Sequence, residues 1–314
     1  MSLSLKVKPA EPDDLPEALT LLNLAFPEQD NLYYLTGDPG YKLERTRLLL
    51  KGNQPVGVLQ IFERQVRWRS GLERVGCVGN LTVHPNHRGK GYASKLLEEA
   101  VSYMRGEGFH YSLLFTRIPG FYERFGWRRV PLTLFSGFLK NGSEAGKLKG
   151  SMRRFHVDTD LKSLLKVYDR FNEDRWGTVV RDEPLWRSEL KWLFDEDFNQ
   201  FLLYEEETVK SYVRCHKHRP YIMEFGFEKG CEDSVKALVH RCASMFKGKR
   251  GEDRIYLPVL KDPEIDGFLK SQLSNVRECS TSEIGLDQLL IKALDNDVDE
   301  KALNRMFFWY PDHF

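Results

Sequence analysis

The chain has 314 residues, 47 Lys plus Arg against 46 Asp plus Glu, 41% hydrophobic residues, 30% charged residues and a formal net charge of +1. At roughly 150 residues per domain this predicts two domains, each large enough to bury a core without disulfide staples. The balanced charge lacks the basic footprint of a nucleic-acid binder, and no apolar run approaches the ~18 residues of a spanning helix, so neither nucleic acid nor a bilayer is an expected partner. Met1 to Pro9 alternates Leu3, Leu5 and Val7 with polar residues and builds no apolar signal segment, which predicts a cytoplasmic protein. Five cysteines without a C-x-x-C pair are expected to be plain thiols, with no structural metal.

In chain order, Leu3 to Lys8 alternates as a strand, and Glu11-Pro-Asp-Asp opens a helix with Leu15, Ala18, Leu19, Leu22 and Phe26 at helical spacing. Three strands are predicted at Leu43 to Leu50, Val56 to Trp68 and Leu72 to Val83, joined by hairpin turns at Gly52-Asn53 and Ser70-Gly71. A long helix over Tyr92 to Glu107 follows. Then come a strand over His110 to Thr116, a short helix over Pro119 to Arg124 and a strand after Gly126. The glycine-containing stretch Asn141 to Gly150 reads as a linker, which divides the chain into domains 1–140 and 152–314 with residues 141–151 between them.

The second part opens like the first. Arg153 to Val157 reads as a strand, and Asp160, Leu161, Leu164, Leu165 and Tyr168 follow Asp14, Leu15, Ala18, Leu19 and Leu22 at a constant offset of 146 residues. Strands at Lys210 to Cys215, Tyr221 to Phe227 and Arg254 to Val259, helices at Glu232 to Phe246 and Glu300 to Met306, and a closing aromatic strand through Met306 to Tyr310 complete it. The expected fold class is α/β, with two tandem domains of one plan.

The chemistry concentrates between Val78 and Ser94, where a strand ends at Val83, a loop carries Arg88, Gly89, Lys90 and Gly91, and an amphipathic helix begins. A glycine-containing turn at a helix amino terminus leaves N–H groups pointing outward and admits a phosphate; Arg88 and Lys90 add positive charge. The loop lacks the hydroxyl and the leading glycine of a P-loop, and Ser94 stands where a dinucleotide fingerprint needs its third glycine. Arg88, Gly91 and Ala93 instead satisfy Arg/Gln-x-x-Gly-x-Gly/Ala, and Pro119 to Trp127 contains F-Y-x-x-x-G-F/W. Together, these segments resemble the GNAT superfamily of N-acetyltransferases. Leu81 to Arg88, the loop through Ser94, and Phe121 to Trp127 further resemble its Eis-like (enhanced intracellular survival) branch, in which a catalytic GNAT domain precedes a degenerate one.

The resemblance implies direct acetyl transfer from acetyl-CoA to a primary amine. The pantetheine arm would pair with the backbone at Leu81, Thr82 and Val83. Arg88, Gly89, Lys90, Gly91, Tyr92, Ala93 and Ser94 would hold the pyrophosphate. Tyr122 would be the general acid, and the terminal carboxylate of Phe314 the base. Two departures from the branch are expected: the chain is too short for a sterol-carrier-like third domain, and Arg117-Ile118 stand where that branch has a polar or acidic pair.

Phe225 to Asp233, the corresponding junction of the second part, lacks the signature and places Glu232 and Asp233 at its helix start, so only the first part is expected to bind the cofactor. Phe26, Glu28, Asp30 and Tyr34 are candidate contacts for a cationic amine. His84 and His87 read as loop histidines. The competing function is a non-catalytic acyl-CoA-binding module that contacts a protein partner; the sequence leaves the acceptor and the oligomeric state open.

Overall fold

The computed structural model describes residues 4–29, 31–69, 71–140, 148–193, 199–216, 219–244, 254–295 and 298–312. The chain opens with β1 (Leu5–Pro9), α1 (Leu15–Ala25) and α2 (Asn31–Thr36). Pro16 in the first turn of α1 costs no hydrogen bond, and Ala18, Leu21 and Leu22 are its buried stripe. An antiparallel meander of β2 (Thr46–Lys51), β3 (Gln54–Trp68) and β4 (Gly71–Val83) follows, and then α3 (Tyr92–Gly106). Next come β5 (Tyr111–Thr116), α4 (Pro119–Glu123), β6 (Arg128–Arg129) and β7 (Thr133–Leu139).

The second half runs β8 (Ser151–Arg154), α5 (Val157–Asn172), α6 (Glu183–Leu193), β9 (Asn199–Glu205), β10 (Val209–His216) and β11 (Ile222–Phe227). It continues with α7 (Glu232–Ser244), β12 (Arg254–Pro258), α8 (Pro263–Ser271), β13 (Leu273–Ser280), β14 (Gln288–Ala293) and α9 (Glu300–Arg305). Leu5 and Ser151, which begin β1 and β8, are separated by the same 146 residues that relate the two helices after them. The mixed α/β class expected from the sequence is the class observed. Among the described residues no helix is long and apolar enough to cross a membrane.

The first sheet has the order β1-β2-β3-β4-β5-β14-β6, with β4 and β5 parallel and the other neighbours antiparallel. Its two faces carry different cores. Ile61, Val78 and Leu114 face α3, where Leu96, Leu97, Ala100 and Met104 are fully buried. Gly76 makes this contact close: a β-carbon there would lie 2.3 Å from the sulfur of Met104. On the other face Phe62, Cys77, Leu113 and Ile291 meet Leu303 and Phe308 from the end of the chain.

Two strands change halves. β14 lies against β5 with Leu289 opposite Phe115 and Ile291 opposite Leu113, and its other edge takes β6. In return β7 leaves the first half and lies between β12 and β13. The remaining strands form the sheet β11-β10-β9-β8, connected to β12 through a parallel bridge between Tyr221 and Tyr256. Stretch 141–147 of the expected linker lies outside the described residues.

The closing aromatic segment differs from expectation. Met306, Phe307, Phe308 and Trp309 are buried and Tyr310 half-buried, as so apolar a run requires, but they join no ladder among the described residues. The place beside β5 is already taken by β14. The segment is fixed instead by Phe307 N–H donating to Trp176 O (2.8 Å) and Trp309 Nε1 donating to Asn172 Oδ1 (2.9 Å). Phe308 turns to the first-half core while Phe307 and Trp309 turn to the second.

Leu289, Leu290 and Ile291 are at most 1% exposed, so each contributes about 2 kcal/mol of burial to a sheet built mainly from the other half. Leu290→Ala is therefore expected to lower stability by about 3 kcal/mol in denaturant unfolding, counting the cavity left behind. A loss under about 1 kcal/mol would show that the exchanged strand is dispensable.

Candidate active site

The site begins with an irregularity in β4. Val58 pairs with Thr82 but Gln60 with Gly79, so Asn80 and Leu81 together oppose the single residue Leu59. This is a bulge, and Asn80 takes the left-handed φ of 54° that it requires. The side chain of Asn80 donates to Gln60 Oε1 (2.7 Å), and the fully buried Gln60 amide donates to Tyr34 O (2.9 Å). The bulge is thereby tied to α2.

β4 and β5 pair only through Val75↔Tyr111, Gly76↔Ser112 and Cys77↔Leu113. Beyond that point β4 runs to Val83 and β5 to Thr116 without facing each other, and the strands part. Among the described residues, the backbone edge of Val78 to Val83 on that side has no neighbouring strand, and Thr82 Oγ1 is buried without a partner. An extended ligand can complete such an edge by pairing with its main chain.

Past β4 the loop is held by its own side chains. His84 Nδ1 accepts from Asn86 N–H (3.3 Å), Arg88 Nε donates to Val83 O (3.1 Å), and Lys90 Nζ donates to Asn86 O (3.2 Å). Gly89 and Gly91 have φ of 73° and 75°, and a β-carbon on either would meet nothing within 4 Å. Gly91 precedes α3, whose amino terminus has no side-chain cap and no acidic residue in its first turn. Its first N–H groups, from Tyr92, Ala93 and Ser94, therefore have no side-chain acceptor in front of them and suit an anion. Tyr92 is buried and stacks on His87 with ring centroids 6.1 Å apart. His84 and His87 stand edge to face at 5.7 Å; no metal-ligand cluster is found among the described residues.

The helix α4 places the tyrosine on the same face of the sheet as α3. Val83, Tyr92, Leu114 and Trp127 belong to one apolar cluster on the α3 face of the first sheet, and Leu81, Ala93 and Tyr122 pack against that cluster. Burial pushes the Tyr122 phenol up to about 12, which keeps it protonated at neutral pH. Its ring is edge-on to Phe121 (5.0 Å) and Trp127 (6.3 Å). Nearby, Arg117 pairs with Asp287 at 2.9 Å, and Ile118 is 63% exposed.

The acceptor candidates are placed differently from one another. Glu28 is exposed and Phe26 half-buried against α1 and β2; Asp30 lies outside the described residues. Tyr34 is buried edge-on to Phe62, and its carbonyl holds Gln60. Its neighbour Tyr33, which sequence reasoning passed over, hydrogen-bonds Ser188 of α6 and so joins α2 to the second half. Phe314 also lies outside the described residues.

At the matching junction of the second half, Glu232 Oε1 accepts from Gly230 N–H (3.2 Å), and Glu232 and Asp233 occupy the first turn of α7. Phe225 and Phe227 at the end of β11 pack with Phe171, Phe307 and Trp309.

Residues 6–130 match the family model of the acetyltransferase (GNAT) domain. The amino-terminal domain is a GNAT domain. No curated protein sequence matches the chain. Among solved structures, a GCN5-related N-acetyltransferase from Anabaena variabilis is similar with TM-score 0.70 at 12% identity, over 93% of this chain and 73% of that one. A GCN5-related N-acetyltransferase from Kribbella flavida has TM-score 0.68 at 17% identity, over 94% and 72%. Eis1 from Mycobacterium abscessus has TM-score 0.63 at 16% identity, over 93% and 74%. At such identities the likeness is one of fold, and it extends well beyond residues 6–130 into the second half.

The parting of β4 and β5 and the uncapped start of α3 fit a CoA thioester: an extended arm between the strands and a pyrophosphate at Gly89 to Ser94. Gly91→Val would force a β-branched residue to φ 75° and fill the open approach. Calorimetry is expected to find acetyl-CoA binding weakened at least 10-fold in this variant, against one site per chain in the wild type. Two sites, or an unchanged affinity, would contradict the assignment.

Proposed function

We propose that the chain transfers the acetyl group of acetyl-CoA directly to a primary amine. The observation that supports this is the parting of β4 and β5 beside the uncapped amino terminus of α3, with the half-buried Tyr122 packed against the cluster on the same face of the sheet. The family match supports acyl transfer. The amine nitrogen attacks the thioester carbon, backbone amides of the unpaired β4 edge stabilise the oxygen as charge develops, and the C–S bond breaks with the pair going to sulfur. Tyr122 gives its proton to that sulfur and regains one from solvent. The ammonium proton leaves to a base or to solvent. No acyl-enzyme is needed: Cys77 is buried and its thiol is pushed far above its ordinary range by burial.

Tyr122→Phe is expected to lower turnover by about 10²-fold or more and leave the acetyl-CoA dissociation constant within about twofold, because only the departing thiolate uses the phenol proton. With the phenol raised to about 12, the wild-type rate should show no alkaline loss assignable to Tyr122 below about pH 11. Thiol release against a panel of polyamines, aminoglycosides and peptide amines checks both. A panel without turnover would favour an acyl-CoA-binding module instead.

A further inference from the structure

Within the second half lies a buried ion cluster that the proposed chemistry does not use. Arg181 Nη1 donates to both carboxylate oxygens of Glu224 at 3.0 Å, and its Nε donates to Asp312 Oδ1 at 2.6 Å. Arg214 pairs with Glu224 at 3.2 Å, the Tyr212 hydroxyl donates to Glu224 at 2.7 Å, and Glu189 stands 3.4 Å from Arg181. The guanidinium of Arg181 is fully buried, 4.5 Å from the rings of both Tyr168 and Trp186. Its backbone is set by the first half. Residues 177–180 run antiparallel to β3, with Gly177 N–H donating to Arg67 O and Val180 N–H to Gln65 O.

Asp312 ends the segment that crosses back to the GNAT domain. Phe308 packs edge-on to Phe115 of β5 at 5.4 Å, and Tyr310, edge-on to Tyr221, has its phenol raised by burial with Arg117 and Asp287 nearby. Gly177 lets the segment lie close, since a β-carbon there would come within 2.6 Å of Phe307 O. Phe115 faces away from α3, whereas Leu114 faces it. With the pyrophosphate assigned to the start of α3, Phe115 and Phe308 packed on it lie on the opposite face of the sheet.

We propose that Arg181 is a positioning residue: by clasping Asp312 it sets residues 306–312 against β5, so that the second half shapes the acceptor side of the cleft in the first. The acceptor part of this rests on the acetyl-transfer reading; the clasp does not. Two guanidiniums face three carboxylates, and burial pushes the Glu189 carboxyl up to about 8, so near pH 7 a neutral Glu189 leaves the charges matched. The charged and titratable groups facing it are Arg181, Arg214, Glu224 and Asp312, with Tyr33 and Arg64 from the first half and Tyr168 and Tyr212 around them. Above about pH 8 its ionisation beside Asp312 and Glu224 weakens the clasp.

Asp312→Asn keeps the shape and removes the charge. Hydrogen exchange is expected to show protection of residues 306–312 falling at least 10-fold. With spermidine as the probe amine, the acceptor KM should rise at least 10-fold while the acetyl-CoA dissociation constant stays within twofold. Unchanged protection, an unchanged KM in a loosened segment, or parallel weakening of acetyl-CoA would each overturn the proposal. Glu189→Gln imitates the neutral carboxyl and disturbs the fold least. Protection factors of residues 306–312 should fall between pH 7 and 9 in the wild type and stay level in this variant; the same fall in both would overturn the clasp. This second arm needs no substrate, so a failure of acetyl transfer is distinguishable from a failure of the clasp.

Discussion

Everything at the candidate site follows from two parallel strands that stop pairing after three residue pairs. A parallel ladder is continued by default, because each unpaired buried backbone group costs free energy. In this chain the ladder ends at Cys77 and Leu113, and the bulge at Asn80 turns the rest of β4 away. The bulge persists because its neighbours over-determine it: Asn80 is held by Gln60, and Gln60 by the backbone of Tyr34. The result, among the described residues, is a strand edge without a neighbouring strand, followed in the chain by an uncapped helix amino terminus.

The parted strands need support elsewhere, and the second half gives it. β14 closes the far side of β5, residues 177–180 extend the sheet along β3, and Phe308 covers Phe115. The halves thus share a sheet as well as a surface. The seam contains charge as well as apolar contact, with Arg64–Asp38 in the first half and the Arg181 cluster in the second all buried. Such pairs contribute little net stability but exclude alternative packings, since a shifted seam would leave a charge unpartnered in the interior.

The parts legible in the sequence are those whose cause is local. The loop from Arg88 to Ala93, the stripe of α3 and the turn through Tyr122 depend on glycines, periodicity and short spacings, and in the structure Tyr92 and the α3 stripe share one apolar cluster against which Ala93 and Tyr122 pack. The strand exchange depends on pairing between residues more than 100 positions apart: Gln288 to Ala293 is a short apolar run with no feature naming β5 as its partner. For the same reason the aromatic end was legible as buried but not as unpaired, since only the presence of β14 decides that. α8 carried a usable signal, Asp262 followed by Pro263, where Asp262 does cap the helix. Tyr33 and Tyr34 are indistinguishable in sequence; which one supports the core and which reaches α6 is set by the direction of α2. Arg181 had no signal at all, because an arginine in a polar stretch reads as exposed until its three carboxylates are placed around it.

The central claim is that one cleft, made by the parted β4 and β5 and the start of α3, takes the cofactor. Hydrogen exchange with and without acetyl-CoA tests it most directly. Protection is predicted to rise in residues 79–94 and 111–122 and to stay unchanged in residues 226–234, where Glu232 already occupies the loop. Protection appearing at residues 226–234, or absent from 79–94, would contradict the account.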